Sequence, residues 1–471
     1  VLTHAKVNLG GSQNFIVRNV RFRIGQKNLA GDIQAENACG AENCSNFIFD
    51  HCSFGWSVEE NMNTADCHFL TVQYCMVHEG LYNAGHHKGV RGYGCQWGGS
   101  PATYHHNLLA HNQSRSCRFN GARGQDYVVF MEYINNVNYN YGKQGACYGG
   151  ENTADIASYN GLNSAHDCNF INNYYKPGKA SDPRYVVFFN SSYARDGAKS
   201  WAPAKWYAAG NVAEGFDAAN ADNWTAVAAE GYRKDQIKSA ERIVTATPYW
   251  KYTLAGVVGK YVPEEYMLES FESAQDAFNT VVSKAGTINR DKVEARVAND
   301  ALTGVTTFNG ATLGNGIIDT ENDAEGFFDY STDYTVPADT DGDGMPDEWE
   351  SKMGLNPTVA DNNALNCDGY TALELYLNSL MGENVDKVEF SGVEQIVVPA
   401  AEMRYDALSS TLFLSEDAIG GTIEVYAANG MLLTAGRVVS TAVSFGPLPS
   451  GLLLVRVQAP GAAPAVLKVV R

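Results

Sequence analysis

The chain has 471 residues, 18% of them charged, and a formal net charge of −19. That length is enough for two to four domains around a sizeable core. The acidic balance excludes general binding to nucleic acid or to an anionic membrane surface, each of which needs a basic face, but leaves room for an acidic ligand in a cation-bearing cleft.

No run approaches the length of a transmembrane helix, so no membrane span is expected. The chain opens on Val-Leu-Thr-His, without an initiating Met or a signal peptide, which points to a start inside a longer precursor. Nine of the ten cysteines fall between Cys39 and Cys168, and no C-x-x-C pair occurs among them. Zinc and thioredoxin-type motifs are therefore absent. Several cysteines follow the strand pattern, so buried free thiols are expected, with disulfides as the other possibility.

Short strand-like runs recur through the first half: FIVRNVRF at 15–22, FIFDHCSF at 47–54, FLTVQYCM at 69–76, ATYHHNLL at 102–109, MEYINNV at 131–137 and CNFINNY at 168–174. Aligned on Asn19, His51, Tyr74, His106, Asn136 and Asn173, they are 23 to 37 residues apart. A β-branched or aromatic run ends each time in a polar residue and a turn. Repeats of that period mean stacked supersecondary units. No long amphipathic helix separates them, so the expected fold is all-β, a right-handed parallel β-helix in which like residues stack at about 4.8 Å. Asn at the repeat position can bond to the coils above and below, and such a ladder is the plain structural role for His51, His106, Asn136 and Asn173.

From about 183 to 333 the repeats fade. Phe271, Ala274, Ala277, Phe278 and Val281 fall at helical spacing over 270–282, and 290–301 reads as a second helix. Both are expected to pack outside the coils or to cover their C-terminal end, where an open sheet edge needs protection.

DTDGDGMPDEWE at 339–350 matches D-x-D-x-D-G-x5-E without departure. Asp339, Asp341, Asp343, Asp347 and Glu350, with the Met345 carbonyl, would surround one Ca2+, and Gly344 allows the sharp turn. Pro346 opens a short helix, and a second begins after Asp368 and ends near Leu380. Residues 383–399 read as a linker. The last segment alternates at 423–426, 443–445 and 452–457, with Asn429-Gly430 as a hairpin turn, and reads as a small β-sandwich. The expected domains are therefore 1–335, a β-helix; 336–383, a helical calcium-binding module; and 398–471, a β-sandwich.

The chemistry concentrates between 46 and 120. Asp50, Glu59-Glu60, His86-His87-Lys88, His105-His106-Asn107, Arg115 and Arg118 follow one another there. Acids, a lysine and paired arginines can hold a cation, grip an acidic sugar and take a proton beside its carboxylate.

These residues resemble the pectate lyases of polysaccharide lyase family 1 over roughly residues 10 to 185. NFIFDHCSF at 46–54 looks like the family's strand with its "DH" calcium aspartate. WSVEE at 56–60 resembles "WSxDE", HHN at 105–107 with SRSCR at 114–118 resembles "HHN…R-x-P-R", and NNYYKPG at 172–178 is a further recurring phrase. The resemblance implies a calcium-dependent lyase acting on pectate by β-elimination, with Ca2+ on Asp50, Glu59 and Glu60 and with Arg115 as the base. It assigns Lys88, Arg118 and His87 to substrate binding. An arginine normally stays protonated, so Arg115 is expected either as the base or as a stabiliser of developing charge. Cys117 stands where the family has Pro, Asn120 where it has a further Arg, and Glu59 where Asp is usual. Coils and a cap before Val1 are implied as well. A β-helix that binds acidic polysaccharide without cutting it is the alternative.

The C-terminal segment resembles the sorting domain of the type IX secretion pathway of Bacteroidota, and 339–380 looks like a dockerin-like module. Together they imply export through the outer membrane of a Gram-negative cell to the surface or medium, with the secretion machinery as partner. A monomer is expected.

Overall fold

Short apolar runs closed by polar pairs favour short strands that turn corners. The computed structural model describes residues 1–28, 30–121, 129–142, 146–152, 166–195, 197–200, 202–244, 267–330, 335–366, 369–382, 403–406, 411–427, 430–444, 451–459 and 464–470. The expected linker 383–399, Asp368, Asn429 and Phe445 lie outside these residues. The chain divides into two compact units that meet in sequence after Tyr334.

In the first unit the chain visits three sheets in rotation. The first sheet has eight strands, from Leu2–Thr3 through Ser53–Gly55 to Val212–Ala213. The second also has eight, including Glu60–Ala65, Tyr93–Gly98, Arg118–Asn120 and Cys147–Gly149. The third has seven, including Ser45–Asp50, His68–Gln73 and Ala102–His105. Neighbouring strands of each sheet pair in parallel. The unit is a parallel β-helix.

Parallel, in-register coils stack like on like. Phe15 stacks on Phe47 at 4.7 Å, Phe22 on Phe54 at 4.9 Å and Tyr133 on Phe170 at 5.1 Å. The core between the sheets also takes in nine cysteines, all free thiols and all buried.

The corner from the third sheet to the first is two residues long. Asn19, His51, Tyr74, His106, Asn135 and Asn172 occupy its left-handed position, with φ between 48° and 57°. The residue after each turns inward, and there the asparagines form a ladder. Asn107, Asn136, Asn173 and Asn211 each take the backbone N–H of the preceding coil on Oδ1, at 2.9 or 3.0 Å. The sequence alignment thus ran one residue late at Asn136 and Asn173, which belong to the inner column. His51, Tyr74 and His106 stack face to face in the outer column, at 4.9 and 5.0 Å.

The two expected helices lie against the outer face of the first sheet. Ala274–Lys284 begins later than the apolar spacing suggested, because Ser273 caps it by accepting from the Asp276 N–H. Lys292–Thr303 starts at a capping box of Asp291 and Glu294. Phe278, Val281, Val297 and Ala301 bury against Leu108, Val137 and Tyr139. Arg296 anchors the second helix through Glu79, 2.8 Å away in the buried turn after strand Met76–His78. Burial alone would raise the Glu79 carboxyl, but Arg296 and His78 beside it hold it well below the usual carboxylate range. Trp224 and Ile237, in short helical segments before and after the last strand of the second sheet, Val227–Ala229, join the end of the core.

In the second unit, helix Asp347–Met353 follows the acidic loop, with Pro346 as its N-cap, and helix Ala372–Leu380 starts at a capping box of Thr371 and Glu374. A three-stranded and a four-stranded antiparallel sheet follow. They share a core of Leu412, Leu414, Ile423, Val425, Leu453, Val455 and Val457, a sandwich arrangement.

Candidate active site

Residues along a strand alternate between core and solvent, and on the second sheet this alternation builds a polar column. Asn63, Gln96, Arg118 and Tyr148 lie side by side in register on successive coils. Their neighbours Met62, Cys95, Cys117, Cys147, Trp97 and Phe119 face the core. Cys117 is fully buried, and its backbone N–H donates to Cys147 Sγ at 3.1 Å. A thiol at this position therefore continues the inner stack and leaves the outer face unchanged. Asn120 is buried as well.

Arg115 sits in the turn that leads from the first sheet to this column. Its backbone is left-handed, with φ of 57°, the conformation also taken by the corner residues from Asn19 to Asn172 and the mark of a tight turn. Tertiary bonds hold it there. The Cys95 N–H donates to the Arg115 carbonyl at 2.7 Å, and the Gly94 N–H to the Ser114 carbonyl at 2.9 Å. Residue 94 must be glycine, because a Cβ there would lie 2.5 Å from the Arg115 carbonyl oxygen.

The Arg115 guanidinium lies 4.0 Å from the centroid of the Tyr93 ring. It pairs with Glu60 through Nη1, donates from Nε to Tyr148 Oη at 3.1 Å and approaches Gln96 Oε1 at 3.4 Å. Arg118 lies 5.5 Å from the Tyr148 ring centroid and pairs with Glu151. Two guanidinium planes are thus fixed over two aromatic faces, a rigid fork array suited to carboxylates.

Glu59 faces the adjoining loop, accepting from Arg91 Nε at 2.9 Å and lying 2.8 Å from His86 Nε2. Burial, opposed by Glu59, holds the His86 imidazole below its usual range. His86 stacks on His87 at 4.3 Å, and its Nδ1 accepts the Lys88 N–H at 2.9 Å. His87 and Lys88 are both exposed. Among the described residues Lys88 makes no ion pair, so its charge is available to a ligand.

Asp50 requires a correction. It ends a strand of the third sheet, whereas Glu60 begins one of the second, and the first-sheet strand Ser53–Gly55 intervenes. Its carboxylate accepts from Arg18 Nε at 2.7 Å and Gln73 Nε2 at 3.0 Å, and lies 2.6 Å from His51 Nδ1. Burial works against its charge, yet His51, Gln73 and Arg18 keep the carboxyl below its usual range. The structure therefore brings together Glu60, Arg115 and Arg118, sets Glu59 and His86–Lys88 on the adjoining loop, and leaves Asp50 out. Tyr93, Gln96, Tyr148, Arg91 and Glu151 join this cluster without having been singled out in the sequence. The regular strand alternation on the second sheet is the signal that would have found Gln96 and Tyr148.

Glu59 and Glu60 are adjacent carboxylates, the hard oxygen donors that calcium takes. The rim fits that ion in donor chemistry. Both carboxylates are ion-paired to arginines as they stand, and among the described residues no set of three acidic side chains converges here. The acidic groups that do converge are Asp339, Asp341 and Asp343, and Asp343, Glu350 and Asp361, all in the second unit.

A parallel β-helix with an arginine-bearing polar column on one sheet is thus the class that fold and site define. No protein-family model matches the chain. It is homologous to proteins named "Probable pectate lyase C". That of Aspergillus flavus is 27% identical over 376 residues, covering 79% of this chain and 74% of the relative. That of Neosartorya fischeri is 26% identical over 381 residues, with the same coverage. Among solved structures, the cedar-pollen allergen jun a 1 aligns over 60% of this chain and 69% of its own, at 10% identity and a TM-score of 0.37. A Bacillus subtilis pectate lyase aligns at 13% identity over 61% of this chain and 65% of its own, with a TM-score of 0.34.

Proposed function

We propose that the protein is a pectate lyase that cleaves polygalacturonate by β-elimination. The observation that carries this reading is Arg115, aromatic-backed and paired with Glu60 beside Arg118, in a chain homologous to proteins of that name. Elimination removes the C5 proton, which lies beside a carboxylate. Its electron pair becomes the C4–C5 double bond, and the C4–O bond breaks with its pair leaving on oxygen, which then takes up a proton. Arg115 acts at C5. Arg118 grips a neighbouring uronate carboxylate in bidentate fashion, and Lys88 does so as a point charge, with His87 beside it. The Tyr93 and Tyr148 faces keep the guanidinium array rigid, so orientation is set before substrate arrives. Calcium bound at Glu59 and Glu60 would stabilise the negative charge that builds on the substrate carboxylate.

The product's C4–C5 double bond is conjugated with its carboxylate. Ultraviolet absorbance that grows on polygalacturonate in the presence of calcium is the expected result. Binding of the polymer with no such growth would overturn the lyase and leave the binding-only alternative. Cys117 lends that alternative no support, since its side chain faces the core.

We further read the acidic loop as a structural calcium site and the C-terminal sandwich as a sorting domain for export to the cell surface or medium. Asp341→Ala should then lower the melting temperature of the second unit in calcium while turnover stays within about twofold, since Arg115 and its partners all belong to the first unit. A collapse of activity with the fold intact would place the catalytic ion in the loop instead. Truncation before residue 398 should preserve specific activity in vitro and abolish surface delivery in the native host. Normal delivery of the truncated chain would remove the sorting role.

A further inference from the structure

The loop pattern places a cation ligand at Asp347, but that side chain is already engaged. Its Oδ1 accepts the Thr340 N–H and its Oδ2 the Thr340 hydroxyl, both at 2.7 Å. Asp339 and Asp343 also accept N–H groups, but their oxygens converge with those of other acids, whereas among the described residues Asp347 joins no such group. Glu350 is the opposite case: it is 0% exposed, and neither carboxylate oxygen has a hydrogen-bond partner. A carboxylate fully withdrawn from water without a partner is costly enough to demand a counter-charge. One oxygen each of Glu350, Asp343 and Asp361 lie within 4.8 Å of one another. Asp361 Oδ1 and Asp341 Oδ2 are likewise buried without hydrogen bonds. Four partnerless carboxylate oxygens on Glu350, Asp361 and Asp341, with Asp343 converging on the first two, are the signature of a site built for a cation.

We propose that Asp361, which lies outside the loop pattern, is a ligand of the calcium ion in place of Asp347. The inference rests on reading the loop as a calcium site. Asp339, Asp341, Asp343, the Met345 carbonyl, both oxygens of Glu350 and one of Asp361 make a set of seven oxygens, within the range of 6–8 that calcium accepts. Carboxylates are hard donors, and the absence of His and Cys from the set disfavours zinc.

The consequence is mechanical. Asp361 precedes Asn362, whose N–H donates to Asp343 Oδ2 at 2.9 Å and whose Nδ2 donates to the Asp343 carbonyl at 3.1 Å. The Leu373 N–H at the start of the second helix donates to the Asn362 carbonyl at 3.0 Å. Trp349 and Tyr376, one from each helix, are in ring contact at 5.3 Å. An ion held by Glu350 from one helix and Asp361 from the lead into the other pins the two helices together.

Terbium is a luminescent stand-in for calcium, and Trp349, next to Glu350, can sensitise it. The full chain is titrated with terbium, and the signal of Glu350→Gln serves as the blank. Asp361→Asn is expected to weaken binding at least about tenfold, the lower end for loss of a group that supports a metal site, and Asp347→Asn less than about threefold. The melting temperature in excess calcium checks that each variant is folded. A wild-type signal no greater than the blank overturns the calcium reading of the loop, and this proposal with it. A wild-type signal that Asp361→Asn weakens less than tenfold, or that Asp347→Asn weakens as much, overturns the role of Asp361 alone.

Discussion

Arg115→Ala is expected to lower kcat on polygalacturonate by at least about 10²-fold, the lower end for loss of acid–base catalysis, with little change in KM. That loss corresponds to about 2.7 kcal/mol of transition-state stabilisation. An interaction made only in the transition state lowers kcat and kcat/KM together, whereas loss of uniform binding raises KM alone. Lys88 supplies the contrast. It is exposed and makes no ion pair among the described residues, so Lys88→Ala should act mainly on KM. Arg115→Lys should remain poor, because an ammonium lacks the planar fork that meets Gln96, Tyr148 and the Tyr93 face. Removing Arg115 also leaves Glu60 with its charge unmatched, so the melting temperature must be followed beside the kinetics. Near-normal kcat in Arg115→Ala at saturating calcium would send the search for the proton-abstracting group elsewhere in the first unit.

Much of this was legible in the sequence, for physical reasons that differ from part to part. Stacked coils write a period into the chain, because each must present an apolar strand and a polar corner at the same place. The cysteines read as core because a thiol fits the small inner positions at Cys95, Cys117 and Cys147. What the period could not supply was which of the three sheets a residue occupies. Asp50 and Glu60 are only ten residues apart, yet a two-residue corner, a three-residue strand and a short loop separate them onto different faces. The Asn135-Asn136 and Asn172-Asn173 pairs hid the register, since either asparagine could be the one in the turn. Tyr93 and Tyr148 were silent because coils of unequal length put neighbours on the second sheet at irregular distances in sequence. The calcium loop was legible as a pattern, but Asp361 reaches it only through the fold of the segment between the helices.

Asn136→Ala is the substitution expected to cost the β-helix most, about 3–5 kcal/mol. Its side chain sits in the middle of the ladder and is fully buried. Oδ1 accepts from both the backbone N–H and the side-chain amide of Asn107, at 3.0 and 2.9 Å, while Nδ2 donates to the Tyr104 carbonyl at 2.9 Å. Truncation therefore strands two donors and one acceptor in the interior. Each stranded group costs about 1–3 kcal/mol, and the small cavity left by the amide adds to this. Partial relaxation of the neighbouring coils brings the sum below the arithmetic maximum. Asn136→Asp should not rescue the ladder, because it keeps the acceptor, loses the donor and buries a charge. Asn190→Ala is the control: its Nδ2 bonds Glu230 at 2.8 Å on the outer face of the second sheet, and its loss should cost less than about 1 kcal/mol. Denaturant midpoints at unchanged slope measure both substitutions. Should Asn136→Ala cost no more than Asn190→Ala, the coils would have to be held by their aromatic stacks, with the asparagines only filling the corners.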